Sequence, residues 1–244
     1  MSLRGVLANV KTAFRRLVGL YLNPVDTFRE IKLVPDALPP ILLIALSFSA
    51  YALTSTLLLW GLKLKRGTEE KELVTLLYGV STPGDVALAI ALRGAAVISI
   101  WFLAFILLWL ALYFSKVRID GFTVFSSTGY ILGSSLPAYL AAAAIYAQTL
   151  SVPYVLLSNS TNPVFRYLLI TIILYRAYVS PLGPLTLIAA DLLFRFVTMW
   201  EAFLFVCAVK GLSELSWIRS TIGGVLVAVT VMFVATVYHE VGLL

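Results

Sequence analysis

The stretch LTLIAADLLFRFVTMWEAFLFVCAV, residues 185–209, decides the fold. At about 1.5 Å per residue, a helix of this length crosses a bilayer. It carries three charges, Asp191, Arg195 and Glu201. An ionised side chain near the bilayer centre costs roughly 2.5–3.5 kcal/mol on insertion scales. Asp191 and Arg195 stand four apart, so they share a helical face on which they can pair. Thr198 continues that face, and Glu201 is rotated off it by about a quarter turn. Such residues face a bundle interior or a wet cavity. Two readings stay open: an ion, substrate or switch site, or a structural pair that fixes how this helix packs.

The rest of the chain supports a membrane environment. It is 61% hydrophobic and only 12% charged, with a mean hydropathy of +0.98. Soluble domains are about 45–50% apolar and about 25% charged. This composition predicts an all-α, polytopic transmembrane helix bundle and excludes a soluble enzyme on an anchor. The single Cys207 lies inside a predicted span and reads as a small apolar packing residue. A net charge of +6 would suggest nucleic acid in a soluble protein. Here the basic residues flank apolar segments, so anionic lipid headgroups are the expected partner, together with other membrane proteins.

Residues 1–38 read as a cytoplasmic amphipathic, interfacial segment. Arg15 and Arg16 interrupt any signal-peptide core. Leu3, Val6, Leu7, Val10, Phe14, Leu17 and Tyr21 recur at three and four and make one apolar face. Arg4, Lys11, Arg15 and Arg16 lie away from it, as expected for an interfacial helix whose basic residues meet lipid headgroups. Docking on the bundle or on a partner is the other reading. Asn23-Pro24 then starts a second short helix, NPVDTFREIKLV, with Val25, Phe28, Ile31 and Val34 as its apolar side. Pro35, Pro39 and Pro40 end it.

Residues 39–244 read as the transmembrane domain. Its expected spans are about 39–62, 90–114, 125–150, 185–209 and 218–238. In the first loop, EEKELVTLLY reads as a short surface helix or, with the charges around it, as solvated chain. The third span contains Pro137 and is expected to kink there. Gly129 and Gly133 form a GxxxG that brings helices close, through internal packing or dimerisation. Residues 164–180 have an uncharged core of about nine residues between Arg166 and Arg176, short for a span. They read as a re-entrant or interfacial helix, or as a tight sixth span.

Charge sets the orientation. With five spans and the N-terminus inside, ten basic residues lie inside: Arg4, Lys11, Arg15, Arg16, Arg29, Lys32, Lys116, Arg118, Lys210 and Arg219. Six lie outside: Lys63, Lys65, Arg66, Lys71, Arg166 and Arg176. The excess near the first span predicts a cytoplasmic N-terminus and an external C-terminus.

This order of elements resembles the Yip1-domain family of multi-span membrane proteins, in its prokaryotic-type form with a short N-terminus. The features are the NPVDTFREIK segment, the proline-led first span and the Gly129-Tyr130…Pro137 element. The segment MWEAFLFVCAVKGLSELSWIRSTIGG, 199–224, is similar to the family's Trp-led helix, Lys/Arg-Gly-Leu turn and final span. The resemblance covers most of residues 23–240. It implies a five-span, non-catalytic protein with a cytoplasmic N-terminus, placed in the cell membrane in a prokaryote.

No HExxH, Cys–His cluster, GxxxxGK[ST] or GxGxxG occurs in the sequence, so no metal, cofactor or catalytic residue is expected. His239 is the only histidine and falls at the far edge of the last span, away from any candidate serine nucleophile. Two classes of function remain. One is a membrane scaffold or adaptor that organises membrane or assembles trafficking-type partners. The other is a small transporter or channel that uses Asp191, Arg195 and Glu201 with the broken third helix.

Overall fold

The computed structural model of the chain describes residues 3–61, 63–66, 69–72, 83–149, 155–156 and 183–240. It begins with helices α1 (Leu3–Leu22), α2 (Pro24–Leu33) and α3 (Leu38–Gly61) and strands β1 (Lys63–Arg66) and β2 (Glu69–Glu72). Then come α4 (Pro83–Phe114), α5 (Gly121–Gly133), α6 (Leu136–Thr149), β3 (Val155–Leu156), α7 (Gly183–Leu212) and α8 (Trp217–Glu240). The expected 164–180 helix lies outside the described residues, as do the side chains of Arg4, Asp191 and His239.

Among the described residues, three helical stretches are long and apolar enough to cross a membrane: Ala91–Phe114, Gly121–Ile145 and Trp217–Tyr238. The part of α3 whose side chains are described, Leu38–Leu53, is also apolar. The stretch 185–209 lies within the 30-residue α7, about 45 Å long at the α-helical rise.

The chain divides into two compact units. The first comprises Met1–Ser49, Ala89–Pro137 and Phe196–Leu244. Its core joins Leu20, Phe28 and Ile31 from the N-terminal helices to Ala104, Leu108 and Leu112 of α4, Tyr130 and Ile131 of α5, and Leu204, Phe205 and Leu212 of α7. Ile100, Ala104, Leu108 and Leu112 are spaced by four, so one stripe of α4 is buried. Cys207 is fully buried in this core.

Helix α5 is buried on most sides, hydroxyls included. Two of those hydroxyls donate back along the helix, Ser127 Oγ to the Thr123 carbonyl at 2.8 Å and Thr128 Oγ1 to that of Val124 at 3.1 Å. Trp101 Nε1 in turn donates to Thr128 Oγ1 at 3.2 Å. The helix begins on Asp120, which accepts from Thr123 N–H at 2.9 Å and from Thr123 Oγ1 at 2.5 Å. The Thr123 hydroxyl foremost, joined by backbone N–H groups, holds the Asp120 carboxyl below its ordinary pKa against the opposing effect of burial. Just before it, α4 ends with Lys116 in the left-handed region, φ 59°. The Lys116 N–H donates to Tyr113 O at 2.9 Å and the Val117 N–H to Leu112 O at 3.0 Å, the paired bonds of a Schellman ending.

The second unit comprises Ala50–Leu88 and Ala138–Arg195. It contains a three-stranded sheet in the order β2-β1-β3. Strand β1 pairs antiparallel with β2, setting Lys63 opposite Glu72, Lys65 opposite Glu70 and Arg66 opposite Glu69. It pairs parallel with β3 through Leu64 and Val155. The helical reading of EEKELVTLLY is therefore corrected at Glu69–Glu72, which form a strand. A register that faces the three bases of β1 with acids favours the pairing.

Candidate functional site

The site is built around Arg16, in the first unit. Helix α1 buries Ala13, Arg16, Leu17 and Leu20, which lie three and four apart on one face. Val10, Phe14 and Val18 are exposed. The docked face is thus rotated from the expected one, and Arg16 is corrected from the outer, headgroup-facing side to the centre of the buried side, with 2% of its surface exposed. Lys11 and Arg15 remain exposed.

The chain turns back at Asn23-Pro24, and α2 lies against α1 where Gly19 has no side chain. A Cβ there would lie 2.6 Å from Thr27 Oγ1. Helix α2 buries Thr27, Phe28 and Ile31. Phe28 and the Val25 carbonyl also crowd Gly211 at the end of α7, where a Cβ would be 2.7 and 2.6 Å from them. Val34, expected on the apolar side, is exposed. It ends α2 through its N–H on the Glu30 carbonyl at 3.0 Å.

This hairpin delivers three acceptors to Arg16. Its Nη1 donates to Asp36 Oδ2 at 2.6 Å, its Nη2 to the Val34 carbonyl at 2.7 Å and its Nε to Glu30 Oε1 at 3.1 Å. Arg15 also donates to Glu30. Asp36 gathers α5 into the same cluster. Tyr130 Oη donates to its Oδ2 and Ser126 Oγ to its Oδ1, each at 3.1 Å. The Arg16 guanidinium stands 5.7 Å from the Tyr130 ring centroid, in cation–π range. Burial alone pushes the Arg16 pKa down, but Asp36, Tyr130 and Glu30 outweigh it and hold the guanidinium above its ordinary value. The result is a closed, charge-assisted clamp that ties α1, α2 and the entry to α3 onto α5.

A second tie lies one turn further along α1. Tyr21 stacks on Trp200 of α7, with centroids 5.1 Å apart and planes 3° apart. Its hydroxyl donates to the Ser134 carbonyl, in the break between α5 and α6. Burial foremost, then the Glu201 charge, raises the Tyr21 pKa. The break follows from Pro137, which lacks the N–H that would otherwise bond the Gly133 carbonyl. Ser47 of α3 supplies a substitute donor to that carbonyl at 3.2 Å.

The glycines just before the break sit against α3. A Cβ on Gly129 would lie 2.6 Å from Pro40 Cβ, and one on Gly133 would lie 2.6 Å from Leu43 Cβ. This GxxxG face therefore packs within the chain.

The charged positions of α7 divide between the units: Asp191 and Arg195 belong to the second, Thr198 and Glu201 to the first. Arg195 and Thr198 are exposed on the protein surface and Glu201 is half-buried beside Trp200. The Trp200 Nε1 is buried with no hydrogen-bond partner among the described residues. Asp36, Glu30, Tyr21, Ser126 and Trp200 were not singled out as site residues from sequence. The available signal was the small-apolar series Ala13, Leu17 and Leu20 flanking Arg16, together with a lone Asp36 among prolines at the mouth of a span. Among the described residues, no group of three His, Cys, Asp or Glu is placed to hold a metal. No family model, curated protein or solved structure matches the chain.

Proposed function

We propose that the protein is a non-catalytic integral membrane scaffold or adaptor of Yip1-domain type. In this reading it has five spans, a cytoplasmic N-terminus and an external C-terminus, and resides in the cell membrane if its source is prokaryotic. The observation that carries the reading is the Arg16–Asp36 clamp, which fixes a two-helix N-terminal platform to α5. Its polar groups bond to one another, Arg16 to Asp36, Glu30 and the Val34 carbonyl, as suits a structural tie better than a reacting centre. Lys11, Arg15, Val10, Phe14 and Val18 remain exposed on this platform, available to anionic headgroups or to another membrane protein. The test is purification of the intact chain from its native membrane with identification of bound proteins. A stoichiometric membrane-protein partner, lost when Val10 and Phe14 are changed to Ser but the fold is kept, is the expected result. Recovery of the chain alone under mild extraction would count against the scaffold.

The second reading, a small transporter or channel along Asp191, Arg195 and Glu201, draws on a different observation. The Trp200 Nε1, with no hydrogen-bond partner among the described residues, directly precedes Glu201 in the chain, and Tyr21, stacked on Trp200, bonds to the α5–α6 break. Interrupted helices next to an intramembrane carboxylate are typical of transport sites. Flux through reconstituted vesicles, lost in Glu201→Gln, would favour it.

A further inference from the structure

The turn between α4 and α5 borders a groove of about 410 Å3 lined by Trp109, Tyr113, Val117, Arg118, Ile119 and Asp120. We infer that this groove holds the headgroup of an amine-bearing zwitterionic membrane phospholipid, of the phosphoethanolamine type. Arg118 takes the phosphate, while the Asp120 carboxylate and the Trp109–Tyr113 rings take the ammonium. The inference rests on the reading of the chain as membrane-spanning.

Position is the first argument. The groove lies where the apolar stretch Ala91–Phe114 ends and Gly121–Ile145 begins, which is the headgroup level if both cross a bilayer. Trp109 and Tyr113 are 39% and 63% exposed, as is usual for aromatic residues that settle at a membrane interface. Their rings stack with centroids 5.7 Å apart and planes 22° apart, so they form one aromatic wall. A cation placed over such a wall is attracted by the ring faces.

Charge is the second argument. Arg118 is exposed and makes no salt bridge among the described residues. Its planar fork of donors matches phosphate oxygens. Each Asp120 oxygen accepts one bond from Thr123, and an ionised carboxylate keeps further lone pairs for an ammonium donor. A headgroup with a phosphate alone would leave Asp120 facing an anion. One that carries both signs meets both charges of the groove lining, Arg118 and Asp120. The volume also falls within the range of about 300–1,000 Å3 typical of small-ligand sites.

The test uses the full chain reconstituted in nanodiscs of equal phosphatidylethanolamine and phosphatidylglycerol with matched acyl chains. After extraction, the lipids that remain on the protein are counted by native mass spectrometry. Phosphatidylethanolamine is expected to be enriched on the wild type. Arg118→Gln should cut its retention about tenfold, the order of a lost charge-assisted bond, and Trp109→Leu should also lower it. Asp120→Asn keeps a capping side chain and should abolish the preference for the amine lipid. Arg219→Gln, an exposed base elsewhere, should change nothing. Equal retention of both lipids by the wild type, or unchanged retention in Arg118→Gln and Trp109→Leu, would overturn the inference. So would a phosphatidylglycerol preference that depends on Arg118 and ignores Asp120. A chain that fails to enter nanodiscs at all would overturn the membrane-spanning reading, a result distinct from loss of headgroup preference in a chain that enters.

Discussion

Arg16 Nη1 and Asp36 Oδ2 meet at 2.6 Å across twenty residues of chain, and Tyr130 of α5 donates to the same carboxylate oxygen. Removing one partner takes from the other its shortest charge-assisted bond, at a cost of up to about 3–5 kcal/mol, with Glu30 still on Arg16 and Tyr130 and Ser126 still on Asp36. Asp36→Leu and Arg16→Met should each lower the midpoint of thermal unfolding in detergent sharply. The double variant should recover much of the loss, because neither charge is then left without the other. Strictly additive losses would show that the pair is not coupled.

Two neighbouring glycines of α8 should respond differently to replacement by alanine. A Cβ on Gly224 would sit on Val206 Cα and 2.6 Å from its backbone N, whereas one on Gly223 would rest at 3.8 Å from Val209 Cγ1. Gly224→Ala should destabilise by about 1–3 kcal/mol through overpacking. Gly223→Ala should be neutral or stabilise by up to about 1 kcal/mol through helix propensity. Guanidinium or thermal denaturation of the two variants side by side decides this, and equal effects would contradict the close approach of α7 and α8.

The α4–α5 turn offers a gain and a pH-dependent loss. Lys116→Gly relieves a left-handed residue and should stabilise by about 1 kcal/mol. Asp120→Ala removes the α5 cap and should cost about 1 kcal/mol at neutral pH. The Asp120 pKa is depressed in the folded chain. Its contribution is therefore fully present above the unfolded value of about 3.9 and is lost as pH falls through the lower folded value. The gap in thermal midpoint between wild type and Asp120→Ala should shrink when measured at about pH 3; a constant gap would mean that the cap does not depend on ionisation.

Topology can be read chemically because Cys207 is the only cysteine. In a Cys207→Ser background, a single cysteine replacing Ser2 should label only from the cytoplasm. Replacements at Ser158 and Leu244 should label only from outside. Labelling of Ser2 and Leu244 replacements from the same side would refute five spans and support six.

Scaffold and conduit separate on α7. If Asp191 and Arg195 form a structural pair, Asp191→Leu or Arg195→Leu alone should lower detergent stability by several kcal/mol. The double variant should restore stability and keep bound partners. Restored stability with complete loss of solute flux would favour the transporter.

Local chemistry determined much of this protein. Composition and run length marked it as a membrane-type helical chain, Asn23-Pro24 and Pro35 bounded α2, and Pro137 broke the third apolar segment. Each of these depends on residues within a few positions of one another, through helix period, proline sterics or hydropathy. Tertiary structure alone decided which face of α1 is buried. A count of apolar residues places Arg16 outside, because the desolvation of a guanidinium is prohibitive until partners are known. Those partners, Asp36 and Tyr130, arrive from 20 and 114 residues along the chain. In the same way, a GxxxG states only that some backbone can come close. That Pro40 and Leu43 fill the space at Gly129 and Gly133 was settled by the packing of α3, since close contact is a property of two surfaces and one stretch of sequence describes only one of them.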